Sequence, residues 1–136
     1  MSLPKFLQEQ VAAQTRYLRV PGEFMLENGE RLSDVEIAYR TWGDEANAKD
    51  RAILICHALT GSADVEAWWP NIIGAGRTFD PAHDYVVCAN ILGSCYGTTG
   101  PVSYKPDTST RYRCLLYTSD AADEGVEVKI SVVAVS

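Results

Sequence analysis

Two segments of this 136-residue chain combine small residues with side chains that could do chemistry. The first loop is HALTGS at 57–62, and the second loop is NILGSCYGTTGP at 90–101. Glycine-rich backbone can approach a substrate closely and can direct N–H groups at a developing oxyanion. The pattern therefore predicts that the two loops form walls of a ligand site.

No single side chain completes a catalytic motif. Ser62 and Ser94 lie outside G-x-S-x-G, the turn that exposes a nucleophilic serine, and Ser94 stands one place too early in GSCYG. His57 follows an apolar run, where a histidine is more often a structural hydrogen-bonding group than a catalyst. His83 lies in the turn DPAHD and is predicted to be a solvated turn residue. The carboxylates show no spacing typical of an acid–base pair.

Cofactor and metal motifs are incomplete as well. GAG at 74–76 lacks the third glycine of a dinucleotide loop. The cysteines show neither C-x-x-C spacing nor paired histidines, so no metal site and no disulfide framework is predicted. They are Cys56, Cys88, Cys95 and Cys114. Three of the four lie within or just beyond apolar or glycine-rich runs, which suits small buried hydrophobic residues in a reducing cytosol. Trp68-Trp69 is interpreted as a core or lid anchor.

Two apolar runs must position the loops. AILIC at 52–56 and YVVCA at 85–89 predict strands of a parallel sheet that is buried on both faces. The 28 residues between them, with a helix predicted over 67–73, suffice for one right-handed crossover. Each run leads directly into one loop, and open α/β sheets bind ligands at the carboxyl ends of their strands.

The upstream residues predict antiparallel structure. Residues 23–26 and 31–41 are interpreted as two strands around Asn28-Gly29, a strong hairpin signal. Alternation along the second strand predicts a wetter face that carries residues 36, 38 and 40. Residues 5–18 predict a helix or an ordered extension. The whole pattern indicates a mixed α/β fold in which an antiparallel hairpin leads into a parallel sheet.

Composition excludes several classes of protein. The chain is long enough for one domain, with 46% hydrophobic and 22% charged residues. The net charge is −6 and the acidic and basic residues are interspersed, which argues against a nucleic-acid partner, since such a partner would require a basic face. No apolar run approaches the roughly 18 residues of a membrane span. Residues 1–10 lack the apolar core of a secretion signal, so a cytoplasmic location is expected.

Several blocks of sequence, taken in order, closely resemble the homoserine O-acetyltransferase family. They are ILICHALTGS (53–62), WWPNIIGAGRTFD (68–80), YVVCANILGSCYGTTGP (85–101) and, upstream, FMLENGERLSDVEIAYRTWG (24–43). The resemblance runs from about Phe24 to about Tyr112. It implies the amino-terminal part of an α/β-hydrolase fold, incomplete in this chain. Residues 1–22 would be an extension and residues 23–113 the partial domain.

The resemblance also implies an activity. Members of the family transfer an acetyl group from acetyl-CoA to the hydroxyl of L-homoserine in methionine biosynthesis, through an acyl-serine intermediate with a histidine base and an aspartate. Acetyl-CoA is then a substrate, no bound cofactor is expected, and the full-length protein would be a homodimer. The family's Ser-Asp-His triad lies further along, so no catalytic residue is assigned here and the chain alone is expected to be inactive.

Site residues follow from the same resemblance. Leu59, the second residue after His57, should donate its backbone N–H to the oxyanion hole. The residues implied to line the pocket are His57, Ala58, Thr60, Gly61, Asn90, Gly93, Ser94, Cys95, Tyr96 and Gly97.

Three alternatives remain open. Serine O-acyltransferases and homoserine O-succinyltransferases belong to the same family, and their selectivity depends on residues outside this chain. A plain α/β-hydrolase esterase is a second class, against which the ordered blocks argue. A non-enzymatic fragment is a third, supported by the missing triad.

The last residues resemble nothing in the family. CLLYTSDAADE (114–124) and ISVVAVS (130–136) resemble a translated transposase-type sequencing adapter, with residues 125–129 in the place of its variable index. Lys129 departs from this pattern, because the adapter would give a stop codon there. A divergent tail with a strand over 126–135 is the other interpretation. The resemblance predicts that residues 114–136 are not native sequence.

Overall fold

The computed structural model describes residues 13–106 and 108–112. A 3-10 helix, Glu45–Asn47, precedes the first α-helix. The strands and α-helices of the described residues are β1 (Arg16–Arg19), β2 (Glu23–Met25), β3 (Arg31–Ser33), β4 (Glu36–Trp42), α1 (Ala48–Arg51), β5 (Ala52–Ile55), α2 (Val65–Trp68) and β6 (Tyr85–Ala89). Within these residues no helix is both long and apolar enough to cross a bilayer.

Four strands form a mixed sheet in the order β1-β4-β6-β5. β4 pairs antiparallel with both β1 and β6, and β5 pairs parallel with β6. The predicted parallel pair is therefore confirmed. Its register places Ile55 opposite Cys88, so the carboxyl ends of β5 and β6 lie at the same edge of the sheet. The first and second loops begin at this edge.

The predicted hairpin is confirmed, but its second strand is shorter than the sequence suggests. β2 and β3 pair antiparallel around the Asn28-Gly29 turn and form a separate two-stranded sheet. Asp34 has a φ of 54°, an unusual conformation for a residue with a side chain, and it ends β3. The predicted strand over 31–41 is therefore wrong as a single element, because the chain changes sheets at Asp34.

Of the two interpretations of residues 5–18, a helix or an ordered extension, the helix is wrong at its carboxyl end. Arg16–Arg19 form β1, in which Leu18 lies opposite Ile37 of β4. The hydrogen bonds offered by the edge of β4 outweigh a helical pattern of only a few residues, since short helices gain little from propensity alone. Residues 5–12 of the prediction lie outside the described residues.

The predicted wetter face of β4 is also wrong. Ala38 is fully buried and Arg40 is 7% exposed. The second loop covers Ala38, because Thr98 accepts a hydrogen bond from the Ala38 N–H through its hydroxyl. Arg40 is covered by ion pairs to Asp64 and Glu66. Contacts with distant segments therefore decide which face of β4 is buried.

The main hydrophobic core lies on one face of the sheet. Its buried members are Ile55, Ala63, Val65, Ile73, Val86 and Cys88. Burial raises the pKa of the Cys88 thiol to about 11. The helix predicted over 67–73 is instead the single turn α2, Val65–Trp68. Trp68 and Trp69 stack on each other and remain exposed, so neither is a core anchor within the described residues.

The expectation that both runs are buried on both faces fails for β5. Leu54 is 53% exposed, while its neighbour Ile55 is buried in the core. Leu54 lies opposite Val87 on the second face of the sheet. Within the described residues β5 has a neighbouring strand on one side only.

Gly43, which follows β4, allows a close backbone approach that can be tested. Its φ is +91°, and a Cβ there would overlap the carbonyl oxygen of Asp84. We expect Gly43→Ala to destabilise the protein encoded by the complete gene by roughly 2–4 kcal/mol in denaturant unfolding, because strain and a backbone clash add. Gly29→Ala is the control, since its φ is +84° and nothing lies within 4 Å of its Cβ. Equal losses for the two variants would contradict the clash.

Candidate functional site

The first and second loops are bound directly to each other at the carboxyl edge of the sheet. The Ala63 N–H, one residue after the first loop, donates to Asn90 Oδ1 at 2.7 Å. The Ile91 N–H donates to His57 Nε2 at 3.4 Å. The predicted juxtaposition of the two loops is therefore present in the structure, and it depends on one side chain from the start of each loop.

His57 has the structural hydrogen-bonding role that the sequence favours. It is 7% exposed, and its Nδ1 lies 2.8 Å from the Ala58 carbonyl oxygen. Because Nε2 accepts from the Ile91 N–H, Nδ1 is the ring nitrogen that donates to the Ala58 carbonyl oxygen. Both ring nitrogens thus hold backbone groups, and they fix the start of the first loop.

Leu59 lies at the outer corner of a turn that the Gly61 N–H closes by donating to the Ala58 carbonyl oxygen at 2.8 Å. Its side chain is fully exposed. Within the described residues the Leu59 N–H forms no hydrogen bond, so it can donate to a ligand. A fixed backbone donor at the carboxyl edge of the sheet is what an oxyanion site requires. Ala58 and Thr60 beside it are exposed as well.

The end of the second loop is fastened to β4. The Thr98 hydroxyl accepts from the Ala38 N–H at 2.9 Å and donates to the Asn90 carbonyl oxygen at 2.8 Å. Thr99 pairs with Glu36 through both its hydroxyl and its N–H. Both threonines are buried. No motif in the sequence predicted this role, although threonine hydroxyls next to glycines often form hydrogen bonds with backbone groups.

The remaining residues predicted to line the pocket are half-buried in the second loop: Gly93, Ser94, Cys95, Tyr96 and Gly97. Gly97 faces the sheet, since a Cβ there would lie 2.8 Å from the Ala38 Cβ. The Ser94 hydroxyl is buried and has no hydrogen-bond partner among the described residues. The Tyr96 carbonyl oxygen accepts from Asn90 Nδ2 at 2.8 Å. The structure thus brings Asn90 to the first loop and turns Gly97 toward β4.

A charge cluster around the buried Arg40, beside the first loop, was not predicted from the sequence. Arg40 forms ion pairs with Asp64 and Glu66, and its guanidinium lies 4.6 Å from the centre of the Trp42 ring. Trp42 Nε1 also donates to Glu66 at 3.1 Å. The cluster fixes the segment that follows Ala63 on β4. No sequence signal marked it, because it joins residues more than 20 positions apart.

Other candidate groups lie away from this edge. His83 is exposed in its turn, as predicted, and its N–H donates to the Asp80 carbonyl oxygen at 2.9 Å. Asp80 begins the same turn, and its carboxylate accepts hydrogen bonds from the N–H groups of Gly76 and Ala82, which lower its pKa. Among residues 13–106 and 108–112, no cluster of three or more His, Cys, Asp or Glu side chains could hold a metal ion.

Comparisons with known proteins give a consistent result at the level of sequence. No protein-family model matches the chain. It is 50% identical over 105 residues to a homoserine O-acetyltransferase of Trichormus variabilis, a match of 77% of this chain and 29% of that protein. It is 48% identical over 108 residues to a homoserine O-acetyltransferase of Chlorobium luteolum, a match of 79% of this chain and 30% of that protein. The chain thus spans under a third of the length of these relatives.

Solved structures share the fold. The homoserine O-acetyltransferase of Bacillus anthracis superimposes with a TM-score of 0.60 at 25% identity, covering 72% of this chain and 30% of that one. An acetylester hydrolase of Corynebacterium glutamicum gives a TM-score of 0.64 at 25% identity, covering 78% and 30%. These neighbours have the α/β-hydrolase fold, so the predicted fold class, a part of that fold, is confirmed.

Proposed function

We propose, on the premise that this chain is homologous to the amino-terminal part of the homoserine O-acetyltransferases, that its protein transfers an acetyl group from acetyl-CoA to L-homoserine. The premise rests on identities of about 50% over more than 100 residues. The products would be O-acetyl-L-homoserine and CoA. Acetyl-CoA would serve as a substrate, with no bound cofactor.

The reaction would proceed in two balanced steps. A serine hydroxyl attacks the thioester carbonyl, the base removes its proton, and the C–S bond breaks as CoA leaves as its thiol. The homoserine hydroxyl then attacks the serine ester, and the C–O bond to serine breaks as the serine takes back a proton. Both steps pass through a tetrahedral oxyanion. The serine, histidine and aspartate would come from the part of the protein that this chain does not span.

The observation that carries the proposal is the Leu59 N–H at the corner of the first loop, which no group in residues 13–106 or 108–112 accepts. A turn from Ala58 to Gly61 and the ring of His57 hold it in place at the carboxyl edge of β5. A donor fixed before the reaction stabilises the oxyanion without reorganisation, and one such donor is worth roughly 10²–10³ in rate. We therefore propose Leu59 as one of the two oxyanion donors, with the second loop as a neighbouring wall.

The direct test is an assay of the protein encoded by the complete gene. Incubated with acetyl-CoA and L-homoserine, it should release CoA thiol and form O-acetyl-L-homoserine in equal amounts. Succinyl-CoA and L-serine, tested as replacement donor and acceptor, should be poor substrates. Faster turnover with either one would assign the protein to homoserine O-succinyltransferases or serine O-acyltransferases instead.

An esterase is the second candidate, and the likeness to the acetylester hydrolase of Corynebacterium glutamicum favours it. An esterase transfers the acyl group to water, so release of acetate would not depend on L-homoserine. The two functions are separated by measuring acetate and O-acetyl-L-homoserine in the same reaction. Acetate as the main product at saturating L-homoserine would favour the esterase.

We also propose that residues 114–136 are adapter-derived and that the native reading frame departs from this sequence near codon 113. We expect independently prepared genomic DNA to continue the family's sequence there and to reach a G-x-S-x-G motif within a few tens of codons. The check is amplification and sequencing across codon 113. A genomic frame that reads CLLYTSDAADE would contradict the proposal.

The resemblance further supports a cytoplasmic homodimer as the native assembly. Residues 1–22 would be an extension and residues 23–113 part of the catalytic domain. Light scattering on the protein from the complete gene would measure its mass directly. A monomer, or a larger assembly, would overturn the proposed dimer without affecting the proposed reaction.

A further inference from the structure

Asn90 uses every polar group that it has. It is 3% exposed, directly after β6. Its N–H donates to the Ala38 carbonyl oxygen, and its own carbonyl oxygen accepts from the Thr98 hydroxyl. Its side chain accepts from the Ala63 N–H at 2.7 Å and donates to the Tyr96 carbonyl oxygen at 2.8 Å. One residue therefore joins β4, the residue directly after the first loop, and the second loop.

Only an amide satisfies both side-chain contacts. Ala63 is 2% exposed and presents a donor, whereas Tyr96 presents an acceptor. A carboxylate of the same shape would face the Tyr96 carbonyl oxygen with a negative charge and no proton to donate. An apolar side chain would leave the buried Ala63 N–H without a partner. The site therefore requires a residue with one donor and one acceptor at this length.

The contact with Ala63 completes a pair of anchors around Leu59. His57 holds the loop two residues before Leu59, and Asn90 holds it four residues after. Both anchors connect to the second loop, at Ile91 and Asn90. The Leu59 N–H lies between two points that are fixed to the same neighbouring segment. Its position thus depends on Asn90, although Asn90 does not touch it.

We infer that Asn90 is a positioning residue of the acetyl-transfer site, which holds the first loop so that the Leu59 N–H is aimed at the oxyanion. This inference rests on the proposed function. Small displacements of an oxyanion donor are costly, since a shift of about 1 Å can lower the rate roughly a hundredfold. Loss of the amide should therefore reduce kcat more than it changes the binding of either substrate.

The test compares two reciprocal substitutions in the protein encoded by the complete gene. Asn90→Asp changes an amide to a carboxylate at the carboxyl end of β6. Asp84→Asn changes a carboxylate to an amide at the other end of the same strand. Asp84 is also buried, where it accepts from the Asp80 N–H at 2.8 Å and pairs with Arg51 at 2.7 Å. Both variants disturb a buried polar contact, but only Asn90 contacts Ala63, directly after the first loop.

We expect Asn90→Asp to lower kcat roughly 10- to 100-fold, with the KM values for acetyl-CoA and L-homoserine little changed. Asp84→Asn should lower the Tm and leave the kcat of the folded enzyme unchanged. Asn90→Ser, which adds no charge and keeps a hydroxyl, should lose less kcat than Asn90→Asp. An unchanged kcat in both Asn90 variants would overturn the inference, whatever happens to Tm.

Hydrogen exchange separates failure of this inference from failure of the proposed function. Amides of residues 57–63 should exchange faster in Asn90→Asp than in the unchanged protein, and they should not respond to Asp84→Asn. This readout does not need a known substrate. Unchanged exchange in residues 57–63 would refute the positioning role even in an active enzyme. Faster exchange in a protein without acetyl transfer would instead refute the proposed reaction.

Discussion

The 136-residue chain, purified alone, is expected to form no measurable O-acetyl-L-homoserine from acetyl-CoA and L-homoserine. Acyl transfer needs a nucleophile within about 2.6–3.2 Å of an activating base. None of its serines stands in G-x-S-x-G. The two histidines are unsuited to the base, because His57 uses both ring nitrogens for backbone groups and His83 lies in an exposed turn. We expect a rate about a millionfold below that of the complete gene product.

Two measurements test this expectation together. Incubation with acetyl-CoA followed by intact-protein mass spectrometry should show no acetylated chain, whereas the complete gene product should form a transient acyl-enzyme. Turnover by the short chain would contradict the prediction and direct attention to Ser62 or Ser94. Ser94→Ala and Ser62→Ala would then identify which hydroxyl carries the acetyl group.

The parts of the fold that the sequence predicted are those with strong local signals. Asn28-Gly29 favours a tight turn through its backbone preferences, and the hairpin forms there around a three-residue loop, 27–29, that the Leu26 N–H closes by donating to the Glu30 carbonyl oxygen. The runs at 52–56 and 85–89 lack any polar face, which suits the parallel pair β5 and β6. Both loops then follow at the same edge of the sheet because β5 and β6 are parallel, so the juxtaposition of the two loops was predictable.

The parts that were not predicted depend on distant contacts. The alternation along β4 cannot show that Ala38 is covered by Thr98, a residue 60 positions away. Arg40 looks like a surface residue in the pattern, but it is buried because Asp64 and Glu66 neutralise it. The resemblance implies that Asn90 lines the pocket, but it does not reveal the hydrogen bonds of this residue. Its four hydrogen-bond partners lie in three separate segments of the chain. Residue spacing carries no information on such partners.

The purified chain is further expected to be insoluble or molten. The cause lies in β5, whose four residues, AILI, include no charge. Its outer edge is unpaired within the described residues, and Leu54 on the second face of the sheet is 53% exposed. Exposed hydrophobic edge strands pair with other chains. β1, the opposite edge, has the sequence RYLR, and its two arginines oppose such pairing.

Leu54→Lys tests this cause, because we expect it to make the short chain more soluble and the complete gene product less stable. In the short chain the added charge should raise the soluble fraction, since it blocks pairing at the β5 edge. In the complete gene product, where a parallel strand is covered on both faces, it should cost roughly 2–4 kcal/mol of stability. Centrifugation after expression measures the first effect, and denaturant unfolding measures the second.

Met25→Lys is the matched control. Met25 is 64% exposed in the separate hairpin sheet, so the substitution adds the same charge to an exposed apolar residue away from β5. Met25→Lys should therefore leave both the soluble fraction of the short chain and the stability of the complete gene product nearly unchanged. Equal gains in solubility would show that net charge, and not the β5 edge, controls aggregation. A soluble monomer of the unmodified chain, with a cooperative thermal transition and dispersed amide resonances, would refute the expectation of an insoluble or molten chain. The sheet would then bury enough surface to offset the conformational entropy lost on folding, roughly 1–2 kcal/mol per residue.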